Sequence, residues 1–197
     1  MAEHARLAHL CVDVQNMFAV DTDWQTPWLN RVLPCIEAIV ERAPAKTVFT
    51  RFIPPSRPEE EIGTWHNYYL RWPAMVRSRL SPYLLQVVPT LARHMPPARH
   101  FDKNRYSPWL FGGLDRALRA DGIDTLIISG GETDVCVMAT TLGAVDLGYR
   151  TILVTDAVFG SANQTHDAAL TVLQSRFGQQ LSACTTQELL DNWKDIT

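Results

Sequence analysis

The sequence has few cysteines and no closely spaced pair of them. Its four cysteines stand at Cys11, Cys35, Cys136 and Cys184, and no C-x-x-C motif occurs in the 197 residues. Zinc ribbons and thioredoxin-type dithiols depend on such a pair, so the sequence argues against both classes. Four widely spaced thiols are typical of a reducing compartment, and we expect a cytoplasmic protein.

An excess of positive charge and long apolar runs are also missing. The net charge of −3 argues against a nucleic-acid partner and against an anionic membrane. No apolar run approaches the roughly 20 residues that span a bilayer. Residues 1–6 are charged and soon followed by a strand-like run, which is unlike a signal peptide. A hydrophobic share of 46% fits one globular domain over residues 1–197.

Predicted strands and helices alternate along the chain. The expected strands cover residues 7–12, 47–53, a short stretch ending at 100–101, 125–129, 151–155 and 180–183; the expected helices cover 28–42, 109–119, 134–147 and 166–177. This alternation predicts an α/β fold of the Rossmann-like, three-layer α/β/α type with a mostly parallel sheet.

Residues 54–97 interrupt that alternation. They are rich in proline, and five aromatic residues fall there, namely Trp65, Tyr68, Tyr69, Trp72 and Tyr83. We expect an excursion with short helices, of the kind that builds a site wall or an oligomer contact.

The most informative stretch is I-I-S-G-G-E-T-D-V-C-V at residues 127–137. It predicts a strand, a glycine turn and a helix whose first turn carries Cys136, with Thr133 as a candidate cap. The partial positive charge of a helix N-terminus favours thiolate, which is the nucleophilic form of cysteine. The alternative is a small buried hydrophobe, which we favour for the three other cysteines.

Polar residues near other strand ends are candidate partners, because the carboxyl ends of parallel strands meet at one edge of a sheet. Asp13 is either a general base or a helix cap. Lys103 is either a charge that keeps Asp13 ionised or a solvated loop lysine. For Asp156 we favour a cap or turn role. His166 is a rival base for the thiol, but we favour a structural hydrogen-bonding role.

Three motifs in order resemble the isochorismatase-like cysteine hydrolases. They are D-V-Q-N-M-F at residues 13–18, K-N-R-Y-S-P-W at 103–109 and G-G-E-T-D-V-C-V at 130–137. A-x-x-L-G-A-V-D-L-G-Y at 139–149 and V-T-D-A at 154–157 are similar to the same family. The resemblance covers nearly the whole chain and is poor only over residues 54–97.

The resemblance implies a six-stranded parallel sheet and a catalytic triad. Asp13 would be the base, Lys103 its charge partner and Cys136 the nucleophile. It also implies a cis peptide bond between Gly131 and Glu132. The backbone N–H groups of Glu132 and Cys136 would then form an oxyanion hole.

Substrate contacts follow in part from the same family positions. The expected pocket residues are Phe18, Trp109, Leu110 and Val135, with Trp65 and Trp72 added from the excursion. Arg51 and Arg105 are either carboxylate binders or solvent-facing side chains.

The nicotinamidase branch of the family has a D-x-H metal motif after the second strand. This chain has Thr50-Arg51-Phe52-Ile53 there and a lone His66, so we expect no metal and no cofactor. The expected activity is a metal-free cysteine amidohydrolase that cleaves a C–N bond of a small amide or ureido compound. The alternatives are a vinyl-ether hydrolase with Asp13 as general acid, and a non-catalytic scaffold. We expect a homodimer or homotetramer.

Overall fold

The computed structural model describes residues 6–196, and it contains one six-stranded, wholly parallel β-sheet. The strands are β1 (Leu7–Val12), β2 (Thr47–Phe52), β3 (Arg99–Lys103), β4 (Thr125–Gly131), β5 (Arg150–Phe159) and β6 (Leu181–Cys184). Their order across the sheet is β3-β2-β1-β4-β5-β6. The predicted α/β class is therefore confirmed. Residues 1–5, on which most of the expectation about the start of the chain depends, lie outside the described part.

Helices cover both faces of the sheet. They are α1 (Asn16–Ala19), α2 (Leu29–Arg42), α3 (Gly63–Arg71), α4 (Pro89–Ala92), α5 (Gly113–Ala120), α6 (Met138–Asp146), α7 (Asn163–Arg176), α8 (Thr186–Asp191) and α9 (Trp193–Ile196). Helices α2, α4, α8 and α9 contribute to one apolar core, and α5, α6 and α7 contribute to the other. Within the described residues, none of these helices is long and apolar enough to cross a membrane.

The position of β1 in the sheet explains why its sequence is almost continuously apolar instead of alternating between apolar and polar residues. Cys11 packs into the core beside α2, whereas Leu10 and Val12 pack into the core beside α5 and α6. Successive side chains of a strand point to opposite faces, so a central parallel strand is buried on both sides.

The order of the strands places a crevice at the centre of the sheet. The chain runs outward from β1 through β2 to β3 and then returns to form β4 on the other side of β1. Ligands of open parallel sheets bind at such a reversal, outside the carboxyl ends of the strands. The turns after β1 and β4 therefore face the same crevice.

The excursion of residues 54–97 is built from short helices, as expected. Besides α3 and α4 it contains 3₁₀ turns at Pro58–Glu60, Pro73–Met75 and Pro82–Leu85. The turn after β1 holds it in place: the Gln15 amide donates to the carbonyls of Phe52 and Leu85, and the Asn16 amide donates to the carbonyl of Tyr83.

Several element boundaries differ from the expectation, and two of the larger differences concern α5 and β5. Helix α5 begins at Gly113 rather than at residue 109, because Trp109 turns away to pack on α6, where its indole N–H donates to the carbonyl of Thr140. Strand β5 continues past residue 155 to Phe159. A register shift between Ile128 and Gly130 lets the far end of β4 pair with this extension.

Gly130 has a conformation and surroundings that demand glycine. Its φ is +105°, and a Cβ there would clash with the Val12 backbone. Gly148 also has a positive φ, of +80°, but a Cβ there would meet open space. We predict that Gly130→Ala lowers the free energy of unfolding by about 3–5 kcal/mol, from backbone strain and overpacking together.

Gly148→Ala is the matched control and should lose only about 1–2 kcal/mol, from the positive φ alone. Urea unfolding of both variants measures the difference. Equal losses would show that the contact between β1 and β4 at Gly130 is not as tight as described.

Candidate active site

Three separate elements bring Asp13, Lys103 and Cys136 together at the carboxyl edge of the sheet. Asp13 follows β1 directly, and its backbone N–H donates to the carbonyl of Thr50 on β2. Lys103 is the last residue of β3. Cys136 lies in a π-helical turn, Thr133–Val137, between β4 and α6.

The side chains of these residues form one contact network. Lys103 Nζ lies 2.6 Å from Asp13 Oδ2 and 3.5 Å from Cys136 Sγ. The same ammonium group donates to the carbonyl of Arg105 at 3.0 Å, and the Thr50 hydroxyl donates to Asp13 Oδ1 at 2.6 Å. Asp13 is 1% exposed, Lys103 6% and Cys136 9%, so the network is shielded from water.

Burial and charge shift the pKa values of Lys103 and of the Cys136 thiol. Burial lowers the pKa of the Lys103 ammonium, but the charges of Asp13 and Cys136 raise it more, so the pKa lies above its ordinary value. Burial raises the pKa of the Cys136 thiol, and Asp13 raises it further, against the opposing charge of Lys103. Burial thus outweighs the charge of Lys103 at this thiol and opposes the helix-terminus effect that favours thiolate in the sequence.

The glycine turn before Cys136 allows the backbone to approach its neighbours closely. A Cβ on Gly131 would clash with the ring of Phe159. The peptide bond between Gly131 and Glu132 is cis.

Thr133, a candidate cap in the sequence, instead shares a hydrogen bond of 2.8 Å with His166 Nδ1, so its side chain does not cap the turn.

A cavity of about 370 Å³ opens onto Cys136. Three of the expected pocket residues, Phe18, Trp72 and Val135, line it. Gly131 and Glu132 form part of the same wall. A small molecule in this cavity would contact both the thiol and the cis peptide.

The other three expected pocket residues, Trp65, Trp109 and Leu110, do not line this cavity. Trp65 packs outside it, with its ring centroid 4.9 Å from that of Tyr106. Trp109 fills a groove on α6, where it stacks on Tyr149 at 5.8 Å. Leu110 is 62% exposed in the turn before α5. The change in chain direction at Trp109 thus takes both Trp109 and Leu110 away from the cavity.

Neither candidate carboxylate-binding arginine lines the cavity. The Arg51 guanidinium forms a two-bond ion pair with Asp102, at 2.7 and 2.8 Å. Arg105 forms a similar pair with Glu61, at 3.1 and 2.7 Å. Arg105 lines a separate cavity of about 480 Å³ that Cys136 does not reach.

Four aromatic residues in the wall were not identified from the sequence. They are Trp24, Phe52, Tyr68 and Tyr106. Trp24 lies in the loop between α1 and α2, and Tyr106 follows Lys103 by three positions. The aromatic cluster of residues 54–97 signalled Tyr68, but nothing in the sequence singled out Trp24, because a loop aromatic has no periodic pattern.

Asp156 and His166, for which a structural role was expected, form contacts within the fold. Asp156 lies within β5 and accepts hydrogen bonds from the backbone and hydroxyl of Thr186, at the start of α8. His166 lies in α7, with its ring centroid 4.7 Å from that of Trp28. Burial lowers the pKa of His166, against the opposing charges of Asp167 and Asp134.

Of the three remaining cysteines, Cys11 fits the expectation of a small buried hydrophobe, and Cys35 and Cys184 fit it only in part. Cys11 is fully buried in β1, while Cys35 and Cys184 are partly buried. None of the three lines the cavity at Cys136.

The residues near Cys136 do not suit a metal ion. Arg51 and Phe52 occupy the place of a D-x-H motif, and the Nδ1 atom of His66 is engaged with the carbonyl of Pro58 at 2.9 Å. Within residues 6–196, the one group of three potential ligands is Glu37, Glu41 and His94. It lies away from the cavity, and the Arg93 guanidinium donates to both of its carboxylates.

The domain model of the isochorismatase family matches residues 7–185. The chain therefore belongs to the isochorismatase family. The fold is shared with a cysteine hydrolase from Pseudomonas syringae, with a TM-score of 0.83, 22% identity, and coverage of 98% of this chain and 94% of that one.

Two curated relatives are similar over part of the sequence. The maleamate amidohydrolase of Pseudomonas putida is 34% identical over 76 residues, which cover 39% of this chain and 36% of the relative. The nicotinamidase of Escherichia coli is 37% identical over 82 residues, which cover 42% of this chain and 36% of the relative. The matched part of the chain thus spans little more than a third of either relative.

The buried ion pair predicts a large effect on stability. We expect Lys103→Met to lower the free energy of unfolding by about 3–5 kcal/mol, since it leaves the Asp13 carboxylate buried without its counter-charge. Asp13→Asn in the same chain should recover most of this loss. Urea unfolding at neutral pH measures all variants.

Arg99→Met in the same strand is the control. Arg99 pairs with Asp121 on the surface, where both side chains are about half exposed, so its loss should cost less than about 1 kcal/mol. If Lys103→Met were as mild as Arg99→Met, the pair would not be the buried constraint described.

Proposed function

We propose that the protein is a metal-free cysteine amidohydrolase, which cleaves the C–N bond of a small amide or ureido compound. The observation that carries the proposal is the contact of Cys136 Sγ with the buried Asp13–Lys103 pair, on the wall of a cavity. The relatives named as a nicotinamidase and a maleamate amidohydrolase support amide chemistry. The P. syringae structure supports the fold alone.

In the proposed acylation step, Asp13 accepts the thiol proton as Cys136 attacks the carbonyl carbon. Lys103 stabilises the thiolate that forms, because its charge lies next to the sulfur. The carbonyl oxygen becomes an oxyanion, which the N–H groups of Glu132 and Cys136 stabilise. Such an oxyanion hole contributes about 3–4 kcal/mol to the transition state.

Collapse of the tetrahedral intermediate breaks the C–N bond and leaves a thioester on Cys136. Asp13 returns its proton to the departing ammonia or amine. In the second half of the reaction Asp13 removes a proton from water, which attacks the thioester. The acid product then leaves, and the thiol is restored with the proton that Asp13 held.

The ion pair distinguishes this mechanism from a vinyl-ether hydrolase. In the ether reaction Asp13 donates a proton to the substrate and the thiol has no part. Here the Asp13 carboxylate is bound to an ammonium group at 2.6 Å and accepts from Thr50, an arrangement that favours a proton acceptor. A non-catalytic scaffold has no use for three buried groups next to a cavity.

We also propose that the protein works in the cytoplasm as a homodimer or homotetramer. The four cysteines are free thiols, which suits a reducing compartment. Ile62 and Tyr83 in the excursion are exposed apolar residues of the kind that subunit contacts bury.

We predict that Cys136→Ala lowers kcat toward small primary amides by at least about 1,000-fold, because the reaction loses its nucleophile. Steady-state ammonia release measures this. Cys35→Ala is the matched control and should retain activity, since Cys35 does not line the cavity.

Two further measurements separate the alternatives. Alkylation of Cys136 with iodoacetamide should abolish amide turnover, whereas an ether hydrolase would keep part of its activity. Exhaustive treatment with a chelator should leave kcat unchanged. Full amidase activity in Cys136→Ala would contradict the proposal, and loss of activity with the chelator would contradict its metal-free form.

A further inference from the structure

Among the described residues that line the cavity beside Cys136, there are carboxylates and no cationic side chain. Two carboxylates, those of Asp23 and Glu132, lie in its wall. Of the residues that the structure describes, no lysine or arginine lines it. Glu132 is held in place because its carboxylate accepts a hydrogen bond of 2.8 Å from the Ser161 backbone. The field inside the cavity therefore disfavours an anionic ligand.

Three of the cations near the cavity already pair with carboxylates. Lys103 pairs with Asp13, and Arg105 pairs with Glu61. Arg51 pairs with Asp102. None of these groups is available to bind a substrate carboxylate without breaking an ion pair at 2.6 or 2.7 Å.

Aromatic rings form most of the remaining wall. They belong to Phe18, Trp24, Phe52, Tyr68, Trp72 and Tyr106. The Trp24 ring lies at the centre of this group, 5.9 Å from the rings of both Phe52 and Tyr68. Burial raises the pKa of the Tyr68 phenol, which keeps it neutral.

Two of these rings already contact cations. Lys103 Nζ lies 5.2 Å from the centroid of the Phe52 ring, and the Arg71 guanidinium lies 5.5 Å from that of Trp72. Aromatic faces attract cations through the ring quadrupole, most strongly for tryptophan. Phe18, Trp24, Tyr68 and Tyr106 are the rings left for a ligand.

We propose that this cavity selects amides that carry a positive charge, as a quaternary or protonated amine, and rejects amides that carry a carboxylate. This preference concerns the substrate of the amidohydrolase function proposed above, and it rests on that function. The aromatic wall supplies cation–π contacts, and Asp23 at the exposed mouth of the cavity supplies the counter-charge. Asp23 is thus a specificity-determining residue.

Three meta-substituted benzamides of similar size test the charge preference. They are 3-(trimethylammonio)benzamide, its neutral isostere 3-tert-butylbenzamide, and the anion 3-carbamoylbenzoate. Calorimetry with the Cys136→Ala variant gives each Kd without turnover, and the unaltered protein gives kcat/KM. We expect the cation to bind about tenfold more tightly than the isostere, and the anion to bind most weakly.

Asp23→Asn should weaken binding of the cation about threefold and leave the neutral isostere unchanged. Asp21→Asn is the matched control, because Asp21 is exposed in the same loop but does not line the cavity. Raising the salt concentration should weaken the binding of the cation alone among the three compounds.

Each outcome decides one of the two proposals. Equal or tighter binding of the isostere or the anion overturns the charge preference, as does the absence of binding by all three compounds. Binding in the expected order with no turnover of any amide overturns the amidohydrolase function and leaves the cavity's charge preference standing. Turnover that follows the expected order supports both.

Discussion

The buried ion pair between Asp13 and Lys103 is the constraint on which the rest of the site depends. Burying either charge alone costs several kcal/mol, so the two must be held together by the fold. The fold does so by ending β1 and β3 at the same edge, with Thr50 of β2 between them to donate to Asp13. Cys136 contacts this pair from the other side of β1. In the proposed mechanism, the carboxylate takes its proton and the ammonium group stabilises its charge.

The position of Cys136 follows from the glycines before it. Gly130 lies against the Val12 backbone and Gly131 lies against Phe159, which brings the turn after β4 close to Asp13. The same turn presents Glu132 to the cavity. The sheet edge holds Asp13 and Lys103, whereas the aromatic wall is drawn from α1, the loop before α2, β2, the excursion and the segment after Lys103.

Most of the architecture, and the meeting of Asp13, Lys103 and Cys136 at one edge of the sheet, could be predicted from the sequence. Apolar runs that alternate with amphipathic segments predicted the parallel sheet, and Asp13, Lys103 and Cys136 follow or end strands of that sheet. The wall of the cavity could not be predicted in the same way. Trp24 lies in a loop without periodicity, and Trp109 leaves the cavity because its indole packs on α6. The burial that raises the pKa of the Cys136 thiol could not be predicted either, since burial is a property of the folded chain.

The central claim is that Cys136 forms a covalent acyl intermediate. The most direct measurement is intact-protein mass spectrometry after rapid acid quenching during turnover of a small amide, followed by peptide mapping. The account predicts an added mass equal to the acyl group, located on Cys136 and absent from the Cys136→Ala variant. Turnover with no acyl adduct under single-turnover conditions, or an adduct on another residue, would contradict it.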